Sequence, residues 1–96
     1  LGKVFDSNTG FTLPDGSVRS PDVSWVRNEK WNAVKPEERK RFAKLVPDFV
    51  LELRSESDEL SELEDKMKLY LQNGVLLGWL IDIRNKQTHI FRLDQE

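Results

Sequence analysis

A chain of 96 residues, 38% of them hydrophobic, carries enough apolar side chains for one core and not for two, so a single domain is the upper bound. With no cysteine and one histidine, His89, it excludes disulfide frameworks, thiolate zinc sites, cysteine nucleophiles and metal sites that need two imidazoles; any metal must be held mostly by oxygen. Charged residues make up 33% but nearly cancel to −2, which argues against a globally basic nucleic-acid binder while leaving room for local basic patches, since screening sets in beyond about 8–10 Å.

No apolar run approaches the roughly 20 residues of a membrane span, and no charged, apolar leader opens the chain. The sequence reads as that of a soluble protein, and its lack of cysteine is compatible with the cytoplasm. Starting at Leu1 and ending at Glu96, it is expected to be a piece of a longer protein.

In chain order, turn chemistry comes first: Asn8-Thr9-Gly10 and Pro14-Asp15-Gly16 lie between short β-prone stretches. They predict hairpin-linked strands near Val4–Asp6, Phe11–Leu13 and Val18–Arg19, then a firmer strand over Asp22–Val26. From Asn28 to Leu45 polar residues dominate, and Pro36-Glu37-Glu38-Arg39 predicts a short helix within a loop. Asp48–Arg54 reads as a strand with apolar residues on both faces, as in a covered central strand of an α/β sheet. Ser55-Glu56-Ser57-Asp58 fits a capped helix start, and Leu60, Leu63, Met67, Tyr70 and Leu71 form an apolar stripe that Asn73-Gly74 ends. Val75–Ile83 and Thr88–Leu93 predict a closing hairpin across Arg84-Asn85-Lys86-Gln87. The sum is one mixed α/β domain: a sheet with a helix packed on it.

Glu52 is the most informative residue. A carboxylate inside an apolar strand costs several kcal/mol to desolvate unless it meets a cation, a donor or a wet cleft. Of the Pro-Asp pairs, Asp15 belongs to a turn. Asp48 is about 13 Å from Glu52 along one strand, too far to share an ion easily. Asp22 starts another strand and can converge with Glu52. On the helix, Lys66 edges the apolar stripe about 40° from Tyr70, and Lys68 flanks its other side, so geometry alone does not choose between them. Asp, Glu and Lys at the ends of adjacent strands suit metal-dependent phosphodiester hydrolysis, the acids holding a hard cation and the lysine stabilising developing charge.

These residues resemble a known family. Gly10-Phe11-Thr12-Leu13-Pro14-Asp15-Gly16, Arg19-Ser20-Pro21-Asp22-Val23-Ser24-Trp25-Val26, Pro47-Asp48-Phe49-Val50-Leu51-Glu52-Leu53, Ser55, Ser57-Asp58, Lys66 and Tyr70, Gly74-Val75 and Gly78-Trp79-Leu80-Ile81-Asp82 are similar to the Uma-two family of bacterial endonucleases, within the PD-(D/E)xK restriction-endonuclease-like superfamily. The resemblance implies a central mixed β-sheet flanked by helices, incomplete at both ends, so that residues 1–96 form the central portion of a larger nuclease-like domain. It implies a catalytic set of Asp22, Glu52 and Lys66 and a magnesium or manganese ion held by Asp22, Glu52 and the backbone carbonyl of Leu53. Arg54 stands where the standard motif has lysine, and is too basic to accept a proton.

The expected function is metal-dependent endonucleolytic hydrolysis of DNA, with a homodimer compatible with it. The alternative is a non-catalytic module that keeps the nuclease fold for dimerisation or partner binding. His89 is expected at the core edge or surface, and Trp31 to cover the core edge or stack on a base. Lys35 to Lys44 carries five bases and two acids, whereas Ser55 to Lys66 carries six acids and one base; the first suits phosphate docking, or is a solvated charged face.

Overall fold

Pro47 and Asp48 are buried and deliver the chain into the middle of a five-stranded sheet in a computed structural model that describes residues 1–92. The strands are β1 (Gly2–Asp6), β2 (Phe11–Thr12), β3 (Val18–Arg19), β4 (Val23–Arg27), β5 (Ala43–Lys44), β6 (Phe49–Leu53), β7 (Leu77–Asp82) and β8 (Gln87–Arg92); the helices are α1 (Asn28–Asn32) and α2 (Leu60–Gln72). The large sheet runs β1-β4-β6-β7-β8, with β6 parallel to β7 and the other pairs antiparallel. A small sheet, β3-β2-β5, lies beside it. This is the expected mixed α/β architecture with β6 at its centre. Among the described residues no helix is long and apolar enough to cross a membrane.

One face of the large sheet is packed. Phe5, Ser24, Val50 and Gly78 stand in one row across four strands. Onto this face α2 lays Met67 and Tyr70, both buried, while Trp31 of α1 meets Phe5 with ring centres 5.0 Å apart. Gly78 admits the Met67 methyl: a Cβ there would lie 2.5 Å from Met67 Cε. The opposite face, expected to be covered as well, is open among the described residues. Phe49 and Leu51 are half-buried, and Leu53 and Trp79 are exposed.

Several local expectations change. β1 is not hairpin-linked to β2 but pairs with β4, because Asp6 closes the 6–9 turn, accepting from the Asn8 amide at 2.9 Å, and the chain then crosses to the small sheet. Of the two early turns, Pro14-Asp15-Gly16 is the one that makes a hairpin, with Gly16 at φ 88° and Asp15 accepting from the Ser17 amide and hydroxyl. The polar connector holds α1, a single 3-10 turn at Pro36–Arg39, and β5. α2 starts at Leu60 rather than after Ser55, since Asp58 spends its carboxylate on the Ser55 amide (2.9 Å) and hydroxyl (2.8 Å) in a separate turn. Gly74, at φ 108°, stops α2 as expected. The last strand is described to Arg92; Leu93 lies outside the described residues.

Candidate active site

The antiparallel register of β4 and β6 sets Val23 against Leu51, so the next position sets Asp22 against Glu52. Asp22 is half-buried, and its Oδ2 accepts from the Leu53 amide at 2.8 Å, a bond that fixes the main chain of Leu53 beside the two acids. Glu52 is only 3% exposed. It points from β6 into the packed face, where α2 presents two groups one helical turn apart. The Tyr70 hydroxyl donates to Glu52 Oε2 at 2.8 Å, and the Lys66 ammonium reaches the same oxygen at 3.1 Å. Lys66 also lies 5.9 Å from the centre of the Tyr70 ring. Asp22, Glu52 and Lys66 are thus gathered at one end of the sheet.

Lys68 is exposed on the far side of α2. Arg54 is committed elsewhere, to Asp82 Oδ2 at 2.9 Å and the Asp58 carbonyl at 3.3 Å. Asp48 works at the opposite end of β6: it accepts from the Arg27 amide at 2.9 Å and pairs with Lys30 at 3.0 Å, tying β6 to the start of α1. Asp15 binds the end of α2, its amide donating to Asn73 Oδ1 at 3.0 Å. His89 is half-buried on β8, opposite Leu80, which in turn stands opposite Glu52, so it lies two strands from Glu52 in the same row of the sheet.

Burial pushes the Glu52 carboxyl above the usual glutamate range, against the pull of Lys66 and the Tyr70 hydroxyl, and the charge of Asp22 adds to the upward push. Burial and the neighbouring Glu52 push the Tyr70 phenol far above its ordinary value, so it remains a donor. The sequence presents Tyr70 as a core residue of the apolar stripe; its place four residues after Lys66 was the signal that both reach the same partner.

Among the described residues no three His, Cys, Asp or Glu side chains surround a common point, so a cation here would have at most two carboxylates. Asp22 commits Oδ2 to Leu53, and Glu52 commits Oε2 to Lys66 and Tyr70; among the described residues neither Asp22 Oδ1 nor Glu52 Oε1 has a protein donor. One free oxygen from each acid, with water and a main-chain carbonyl, is a donor set that a magnesium-like cation accepts.

The model of the Uma2 family, described as "Putative restriction endonuclease", matches residues 1–96. Among solved structures, a crystal structure of a "putative nuclease belonging to DUF820" from Anabaena variabilis ATCC 29413 superposes with a TM-score of 0.77 at 23% identity. The alignment covers 99% of this chain and 52% of that one, so the chain spans about half the length of its structural relative, and the likeness at this identity is one of fold. No curated protein matches it. Since one family model accounts for every residue from 1 to 96, the chain belongs to the Uma2 family.

Proposed function

We propose that the protein is a divalent-metal-dependent endonuclease of the PD-(D/E)xK type that hydrolyses phosphodiester bonds in DNA, with Asp22 and Glu52 as metal ligands, the Leu53 carbonyl as a further ligand and Lys66 as the cation facing the reacting phosphate. The observation that carries this reading is Glu52: a buried carboxylate in the central strand, opposite a second acid, with a lysine 3.1 Å from one oxygen and the other oxygen free of described protein donors. A fold held together by apolar packing has no need of such a group, and its desolvation must be offset by what it binds.

The residues divide the work. A bound magnesium or manganese ion supplies Lewis-acid polarisation of the phosphate and lowers the pKa of a ligated water. Asp22, tied to the Leu53 amide, and Glu52, tied to the Tyr70 hydroxyl, hold their free oxygens in fixed positions, so little reorganisation is needed at the moment of reaction. Tyr70 is a positioning residue that keeps Glu52 oriented. Lys66, partly exposed and 3.1 Å from Glu52 Oε2, is the cation that would face the negative charge developing on the phosphoryl oxygens. Arg54, paired with Asp82, is a framework residue.

The test is nicking of supercoiled DNA by the purified protein with magnesium or manganese, with Glu52→Ala as the control. Cleavage that needs the metal and disappears in Glu52→Ala is the expected result. Equal cleavage by the variant would remove Glu52 from the site, and absence of both cleavage and divalent-ion binding in calorimetry would favour a non-catalytic nuclease-fold module.

A further inference from the structure

The end of the sheet that carries Asp22 also carries a basic groove. β1 and β4 run antiparallel with Asp6 opposite Val23, so the 7–10 turn leaves the sheet where Asp22 enters it. Gly10 is held there between two neighbours: a Cβ on it would lie 2.6 Å from the Phe42 ring and 3.0 Å from the Ser20 hydroxyl. The Thr12 hydroxyl pins the main chain by donating to the Phe42 carbonyl at 2.8 Å. On the other side Arg39 donates from Nε to the Val34 carbonyl at 2.9 Å and lies 5.1 Å from the centre of the Trp31 ring.

Between these two anchors stand Lys40 and Arg41. Both are exposed, and neither forms an ion pair with a described residue. With Arg39 and Phe42 they wall a groove of about 580 Å³ against Asn8, Thr9 and Gly10. Glu37 and Glu38 line a separate recess with Arg41, Phe42 and Lys44. The other flank of the site, where the chain leaves β6 toward β7, carries Glu56, Asp58 and Glu59 together with Arg84, which donates to the Glu56 carbonyl at 3.4 Å, so it offers no comparable run of unpaired cations among the described residues. A polyanion lying across Asp22 and Glu52 is favoured on the β1 side.

We propose that Lys40 and Arg41, in the groove formed with the 8–10 turn, dock the phosphate backbone of the DNA flanking the scissile bond, on the β1 side of the site. The identity of the polymer rests on the nuclease reading; the position and direction of the track rest on the groove. Two uncommitted cations on a main chain anchored at both ends meet a phosphate with less ordering cost than cations on a free loop. Each phosphate they neutralise releases counterions and steepens the salt dependence of binding.

The experiment is fluorescence anisotropy of an end-labelled DNA duplex without divalent metal, so that cleavage does not enter, over a range of salt concentrations. The double variant Lys40→Gln/Arg41→Gln is expected to bind about tenfold or more weakly near physiological salt, with a log–log salt slope shallower by about 1.8, about 0.9 per lost phosphate contact. Arg41→Glu alone is expected to weaken binding further than Arg41→Gln. Lys3→Gln, exposed on β1 opposite Val26 at the far end of the strand, is expected to leave the slope unchanged. An unchanged slope in the double variant, or a wild-type protein that does not bind the duplex, would overturn the proposal. Duplex binding with the expected slope change but no cleavage in metal would overturn the catalytic reading and leave this docking surface standing.

Discussion

Tyr70 and Glu52 meet inside the packed face at 2.8 Å, the phenol of the helix donating to the carboxylate of the central strand. Lys66 reaches the same oxygen from one turn earlier in α2. The helix therefore does two things for one acid: it buries the carboxylate, which favours the neutral form, and supplies a donor and a cation, which favour the charged form. Burial is the larger influence, and the Glu52 carboxyl is raised.

Removing the phenol tests the first contact. Tyr70→Phe keeps the ring that fills the core and deletes only the hydrogen bond. A bond to a charged group contributes about 1.5–3 kcal/mol, so chemical denaturation at neutral pH is expected to show a loss of that order. The Glu52 carboxyl is expected to move further up, followed through its side-chain carbonyl resonance. A variant as stable as the wild type would mean that water replaces the phenol.

The raised Glu52 carboxyl fixes the sign of a pH effect. The folded state holds this proton more tightly than the unfolded chain, so its contribution to stability is complete below the ordinary glutamate range, about 4.3 in model peptides, and is lost as the pH rises through the raised folded value. Glu52→Gln removes the titration and keeps the shape. The midpoint difference between wild type and Glu52→Gln is therefore expected to favour the wild type more at pH 4 than at pH 7. A difference that grows toward neutral pH would show that Lys66 outweighs burial.

How much of this was readable in the residues depends on the range of the interactions involved. Glu52 stood out because an acid inside Phe49-Val50-Leu51 breaks an apolar strand, and strand alternation alone places it with Val50 on the packed face. Lys66 and Lys68 were equivalent by helical spacing. What separates them is the tertiary seat of α2, which turns Lys66 toward β6 and Lys68 to solvent. β5 was silent because Ala43-Lys44 has little strand propensity and is extended only by pairing with Phe11-Thr12, far away in the chain. The start of α2 was misplaced by a local competition: Ser55 and Asp58 bond to each other and form a turn of their own. The uncovered face of β6 looks apolar in the sequence for the same reason a covered one does, since its apolar side chains meet their cross-strand neighbours: Phe49 packs against the edge of Trp79, and Leu51 stands between Val23 and Trp79.

Arg54 stands two residues after Glu52, and its guanidinium bonds Asp82, which is fully buried and also accepts from the Asn85 side chain at 2.8 Å. Arg54→Met leaves that carboxylate without its cation, and a markedly lower thermal midpoint is expected. Arg54→Met/Asp82→Asn is expected to recover much of the loss, because it removes the orphaned charge together with its partner. A double variant that is stable and still cuts DNA would place Arg54 in the framework, whereas a stable one with no cleavage would place it in the reaction.

Asp22 carries a structural bond and a proposed ligand role on different oxygens, and substitutions can separate them. Asp22→Asn retains a carbonyl oxygen that can accept from the Leu53 amide, so its stability is expected to stay within about 0.5 kcal/mol of the wild type, whereas Asp22→Ala loses the bond and about 0.5–1.5 kcal/mol. Cleavage is expected to respond differently: the charge of the proposed metal ligand is gone in both variants, and both are expected to fall about a hundredfold or more. Calorimetric titration with manganese reads the same loss without turnover. If Asp22→Asn binds manganese and cuts DNA like the wild type, Asp22 is only the anchor for the β6 main chain, and the ligand opposite Glu52 must come from elsewhere.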